Sequence, residues 1–145
     1  MKLYTIGFTK KSAEDFFELL SASGATRLVD IRLKNASQLA GFAKRDDLEY
    51  LVGRLCGMDY VHLPELAPDA ELLDDYRKKR IDWAAYEPRF LALMNERHIG
   101  EPALRETLDG GCLLCAEHSP ERCHRRLVAE YLSHQWGDVE IVHLT

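Results

Sequence analysis

Two hydrophobic periods alternate along this chain. Short, nearly continuous apolar runs predict buried strands, and runs with apolar residues three and four apart predict helices. Lys2-Leu3-Tyr4-Thr5-Ile6, ended by Gly7, reads as the first strand, and Arg27-Leu28-Val29-Asp30-Ile31 as the second. Asp59-Tyr60-Val61-His62-Leu63, Cys112-Leu113-Leu114-Cys115-Ala116 and Val139 to Leu144 are the third, fourth and fifth. Between the first two strands, Ser12 is placed to cap a helix that carries Phe16, Phe17, Leu19 and Leu20 and closes at Gly24. Asp46 or Asp47 is expected to cap a second helix, through Leu48, Leu51, Val52 and Leu55, with Gly57 as its stop.

Asn35 to Arg45 has no clean period and reads as a loop with room for a short turn of helix, and Pro64 to Pro68 as a rigid loop. Ala70 to Arg80 and Trp83 to His98 have helical spacing, and Glu101-Pro102 begins a short helix ended by Gly110-Gly111. Ser119-Pro120-Glu121 combines an N-cap, a first-turn proline and an acid, which predicts a helix start before Leu127, Val128, Tyr131 and Leu132. Strands alternating with helices pair in parallel through right-handed crossovers. The expected fold class is therefore α/β: a single three-layer αβα sandwich over residues 1–145, with a mostly parallel sheet of about five strands.

Composition changes this picture little. With 46% hydrophobic and 30% charged residues, the chain has ordinary globular usage. Its net charge of -5 offers no general attraction to nucleic acid, so phosphate binding has to be local. The first residues turn polar at Thr9-Lys10-Lys11, too soon for an export signal, and no apolar run is long enough to span a bilayer. A cytoplasmic location without membrane contact is expected, in which the four cysteines are thiols rather than disulfides.

Ligands of open parallel sheets bind beyond the carboxyl ends of the strands. Those ends deliver Gly7 and Phe8, Asp30 and Arg32, His62 with Glu65, and Cys115 with Glu117. The densest stretch runs from Cys115 to Arg126. A cysteine near a helix N-terminus, beside arginine and histidine, favours its thiolate, because dipoles and cations stabilise the negative charge. Cys115, Glu117, Cys123 and His124 are the candidate catalytic residues, and Asp30, Arg32, His62, Glu65 and Arg125 the candidate substrate-binding ones.

Plainer roles compete. Cys56 reads as core, and Asp30 with Arg32 as an ion pair at the sheet edge. Cys112 and Cys115 point to opposite faces of a strand, which argues against a shared redox or zinc role. Cys115, His118, Cys123 and His124 contain enough donors for one metal, yet no second C-x-x-C supports it, and no metal ligand or cofactor is assigned. Asp74 to Arg80 reads as a solvated helix face, with contact to a polyanion by Arg77 to Arg80 as the alternative.

Four landmarks resemble a known family: Thr5-Ile6-Gly7, Val29-Asp30-Ile31-Arg32, His62-Leu63-Pro64-Glu65-Leu66, and Cys115-Ala116-Glu117 followed by Cys123-His124-Arg125. In this order and spacing they are similar to the domain-of-unknown-function family DUF488. The resemblance implies an α/β fold and a bacterial- or archaeal-type cytoplasmic protein, and it supplies no activity. Many members have His-Ser after the first glycine, where this chain has Phe8-Thr9. After Asp30-Ile31-Arg32, members often carry a proline before a serine, whereas this chain continues Leu33-Lys34-Asn35.

The leading expectation is an enzyme for a small phosphorylated or nucleotide-like ligand. The second is a non-catalytic nucleotide or nucleic-acid binding module using Arg32, Lys34, Arg122, Arg125 and Arg126, with Tyr60 or Trp83 for stacking. The third is a structural or metal-holding Cys/His cluster.

Overall fold

In the computed structural model, which describes residues 1–35, 41–117 and 120–145, five strands form one all-parallel sheet. The strands are β1 (Lys2–Gly7), β2 (Arg27–Asp30), β3 (Asp59–His62), β4 (Gly111–Cys115) and β5 (Glu140–Leu144). The helices are α1 (Ala13–Ser23), α2 (Arg45–Cys56), α3 (Ala70–Arg77), α4 (Trp83–Glu96), α5 (Pro102–Leu108) and α6 (His124–Trp136).

Side chains alternate across the strands, so each strand feeds two cores. Tyr4, Ile6, Leu28, Cys112 and Leu114 pack with Phe16, Phe17 and Leu20 of α1 and Leu48 and Val52 of α2. Leu3, Val29, Leu113 and Cys115 pack on the other face with Leu72 of α3, Phe90 and Met94 of α4, Leu108 of α5 and Leu127, Val128 and Leu132 of α6. Three layers result, as the alternation of elements implies, and Cys112 and Cys115 do face opposite cores.

Local signals explain most element boundaries. Ser12 Oγ accepts from the Asp15 N–H at 3.1 Å, and Gly24 closes α1 at φ 83°. Two helix starts differ from expectation. Lys44 occupies the N-cap of α2, and Asp46 and Asp47 lie in its first turn, where they complement the helix dipole. The last helix begins at His124 with Cys123 at its N-cap, several residues beyond the expected start; the expected cap, Ser119, lies outside the described residues. Cys56 is only half-buried, its sulfur 3.2 Å from Ser21 Oγ, because α2 exposes its C-terminal turn.

The strand order is β3-β2-β4-β1-β5. From β1 the chain crosses through α1 on one face toward β2; from β4 it crosses through α6 on the other face toward β5. The connections therefore leave these adjacent strands in opposite directions, which opens a crevice beyond their carboxyl ends. Gly7 and Cys115, the last residues of β1 and β4, are register partners at that point.

Candidate functional site

A cavity of about 1370 Å³ opens at this switch point. Its floor is the end of β4 and the start of α6, with Cys115, Ala116, Glu117, Cys123 and His124. Phe8 to Lys11, following β1, and Arg32 to Lys34, following β2, form one wall. The turn between α3 and α4 forms the opposite wall with Arg77, Lys79 and Arg80 beside Tyr76, Trp83 and Tyr86. Tyr86 and Phe90 are buried and stacked beneath Trp83, so the aromatic wall is anchored in the core.

Close packing fixes the floor. Thr9 donates from its N–H to the Ala116 carbonyl at 3.0 Å, which ties the loop after β1 to the end of β4. Arg125 is fully buried; its Nη1 donates to the Glu117 carbonyl and lies 3.8 Å from Cys123 Sγ. Burial pulls its guanidinium down to about 10, against the opposing influence of Cys112 and Glu117, so it stays cationic at neutral pH. Gly7 sits against this junction: a Cβ there would fall 1.6 Å from the Glu117 carbonyl oxygen and 2.5 Å from Arg125 Nη1.

The β2 wall is equally fixed. Asp30 is fully buried and grips Arg32 twice, with Nε to Oδ1 at 2.8 Å and Nη2 to Oδ2 at 2.7 Å. The Tyr60 hydroxyl donates to the same carboxylate at 2.6 Å. Burial pushes the Asp30 carboxyl up, but the hydrogen bonds and charge of Arg32, with Tyr60, hold it below the usual carboxylate value. Two histidines pin the following turn: His124 Nε2 lies 2.7 Å from the Ile31 carbonyl and His62 Nε2 2.7 Å from that of Arg32. A carbonyl only accepts, so each Nε2 carries a proton. Burial lowers His124 to about 4, more than the Ile31 carbonyl raises it, and its ring is neutral at pH 7.

Charge is concentrated here. Lys10, Lys11, Arg32, Lys34, Arg77, Lys79, Arg80 and Arg122 line the cavity, eight of the 19 cationic residues, against only Asp82 and Glu117 of the 24 acids. Arg32 Nη1 and Lys11 Nζ are buried with no hydrogen-bond partner among the described residues. Burial, with Arg125 nearby, lowers the Lys11 ammonium.

Of the residues picked out from sequence, Cys115, Glu117, Cys123, His124 and Arg32 meet at the cavity. Asp30, His62, Glu65 and Arg125 stand outside its wall: Asp30 and Arg125 are buried behind it, His62 braces the Arg32 carbonyl, and Glu65 is exposed on a 3-10 turn, Pro64–Leu66. Tyr60, a stacking candidate, spends its hydroxyl on Asp30. His118 lies outside the described residues. Arg77, Lys79 and Arg80 are exposed, as expected of a solvated face, and they also line the open cavity where α3 ends at Arg77. Lys10 and Lys11 were legible only as polar residues after β1; their position just beyond a strand's carboxyl end was the signal to read.

The expectation of free thiols also changes. The structure joins Cys115 and Cys123 in a disulfide and leaves Cys56 and Cys112 free. The return of α6 over the sheet end brings Cys123 beside Cys115, with their Cα atoms 7.4 Å apart.

Among known families, the model described as Domain of unknown function DUF488 matches residues 12–132. Val29 to Arg32, His62 to Leu66 and the Cys115 to Arg125 stretch all fall inside that span, and Thr5-Ile6-Gly7 just before it. No curated protein and no solved structure matches the chain.

Proposed function

This chain belongs to the DUF488 family, and on that footing we propose that it is an enzyme acting on a small phosphorylated or nucleotide-like ligand held in the cationic cavity. The observation that carries the reading is the gathering of eight cations at one crevice of a protein with net charge -5. Two of them, Arg32 and Lys11, keep a buried N–H group with no protein partner among the described residues, which suits a bound oxyanion. The rings of Tyr76, Trp83 and Tyr86 offer apolar surface for a base or another flat group.

Chemistry is assigned to the floor. With the disulfide reduced, the thiolate of Cys115 or Cys123 attacks an electrophilic centre of the ligand, and the bond to the leaving group breaks as Glu117 protonates it. Water then hydrolyses the adduct, giving its proton to Glu117 and restoring the thiolate. His124 orients the floor through Ile31, and Arg125 favours the thiolate while holding the Glu117 carbonyl.

Calorimetric titration of pyrophosphate and ADP into the reduced protein at low salt tests the binding. Lys11→Met is expected to weaken it about 10- to 100-fold, the worth of one hydrogen bond to a charged group. Absence of binding by both anions to folded protein overturns the reading. For an enzyme, Glu117→Gln removes turnover of phosphoester substrates and spares binding.

The cavity volume supports a second reading, a nucleic-acid or nucleotide binding module without catalysis. About 1370 Å³ exceeds the roughly 300–1,000 Å³ of ordinary small-ligand sites, leaving room for more than one nucleotide. Short single-stranded oligonucleotides should then bind, with affinity falling steeply as salt is added and no turnover of any strand.

A further inference from the structure

Two cysteines and a histidine meet at the cavity floor in a way that a disulfide alone does not account for. The Cα atoms of Cys115 and Cys123 are 7.4 Å apart, beyond the roughly 4.4–6.8 Å that disulfides usually span. Both side chains are almost fully buried, and the two bonded sulfurs each lie within 4.8 Å of a ring nitrogen of His124. We infer that, once reduced, Cys115, Cys123 and His124 bind one divalent cation of the zinc type, with a fourth coordination position open to the cavity.

The donors suit that ion. Two thiolates and an imidazole are a donor set that zinc uses where it keeps an open position, and thiolates about 3.8 Å apart complete tetrahedral geometry at zinc–sulfur bonds of about 2.3 Å. The backbone spacing accommodates that separation more readily than a covalent bridge. The surroundings are those that metal ligands ordinarily have. His124 Nε2 donates to the Ile31 carbonyl, which fixes the ring and leaves the lone pair on Nδ1. Arg125 Nη1 stands 3.8 Å from Cys123 Sγ, placed to donate to a thiolate that carries excess charge. All three residues line the cavity, so an ion here would face the ligand.

Reduction and binding balance simply. A dithiol reductant supplies two electrons and two protons, breaking the sulfur–sulfur bond to give two thiols. The ion then displaces both protons to solvent. Oxidation by a disulfide of the same class reverses this and releases the ion. With the ion bound the thiolates serve as ligands, the nucleophilic step belongs to the reduced, metal-free protein, and the inference stands whether or not a phosphorylated ligand binds.

The test is Co(II) titration of the full, untagged chain after reduction with a metal-free phosphine and removal of bound metal. One equivalent should produce thiolate-to-cobalt charge-transfer absorption and the visible bands of a tetrahedral site, both removed by added Zn(II). Cys115→Ser and Cys123→Ser should lose the charge-transfer absorption or most of it, His124→Ala should weaken binding at least about tenfold, and Cys56→Ser should behave as the parent. In the parent itself, Zn(II) should slow alkylation of Cys115 and Cys123 while leaving Cys56 unchanged, a readout that needs no variant to fold. A folded, reduced parent without charge-transfer absorption, or unchanged alkylation under Zn(II), overturns the inference. Pyrophosphate titration of metal-free protein reports separately on the anion site.

Discussion

Arg32 shows how one side chain can be both structural and available. Asp30 takes Nε and Nη2, the carbonyl is braced by His62, and Nη1 is left without a hydrogen-bond partner among the described residues, in a side chain that lines the cavity. Replacing Asp30 with Asn should cost about 3–5 kcal/mol in denaturant unfolding, because the buried guanidinium loses its counter-charge. The same carboxylate imposes a pH dependence. Its folded pKa is depressed, so its stabilisation is present above the unfolded value of about 3.9 and is lost as pH falls through the lower folded value. Acid unfolding of Asp30→Asn should show a shallower slope in that window; an unchanged slope would assign the acid limb to other groups. Gly7→Ala should destabilise by about 3 kcal/mol or prevent folding, since the new methyl meets two fixed groups. At this scale the Asp30–Arg32 pair was legible from adjacency on a strand end. The interlocking of Gly7, Glu117 and Arg125 was not, because their contact joins residues more than a hundred positions apart.

Elements were more legible than their ends. Periodicity located the five strands and six helices of the described residues, because amphipathic spacing is set by which face must be buried. Helix starts follow local capping only when tertiary contacts permit. Ser119-Pro120-Glu121 has the composition of a start, yet α6 begins at His124, where Cys123 Sγ and the Arg125 guanidinium are held under the sheet end. α4 contains the converse case. Pro88 lies exposed inside Trp83–Glu96 and offers no N–H to the Ala84 carbonyl. Pro88→Ala should raise stability by about 1–3 kcal/mol, seen as a higher Tm. A lower Tm would mean that the proline's bend is needed to seat Tyr86 and Phe90.

For the molecule as a whole, acidic net charge and a cationic crevice are compatible because the positive residues come from four separated places in the chain: Lys10 and Lys11, Arg32 and Lys34, Arg77 to Arg80, and Arg122. Composition averages over such clusters, so no count could reveal this one; the strand order had to be known first. No helix among the described residues is long and apolar enough to cross a membrane. The strand order also bears on how the chain is made. β1 is synthesised before the other four strands of this sheet, yet its partners are β4 and β5, with Tyr4 opposite Cys112 and Val142. Pairing of β2 with β3 needs only residues already synthesised, while β1 has to wait for most of the chain. A nascent chain halted before residue 111 should therefore expose its first eight residues to protease and engage holding chaperones through Leu3, Tyr4 and Ile6. Protection should come in one step, when β4 and β5 have both emerged.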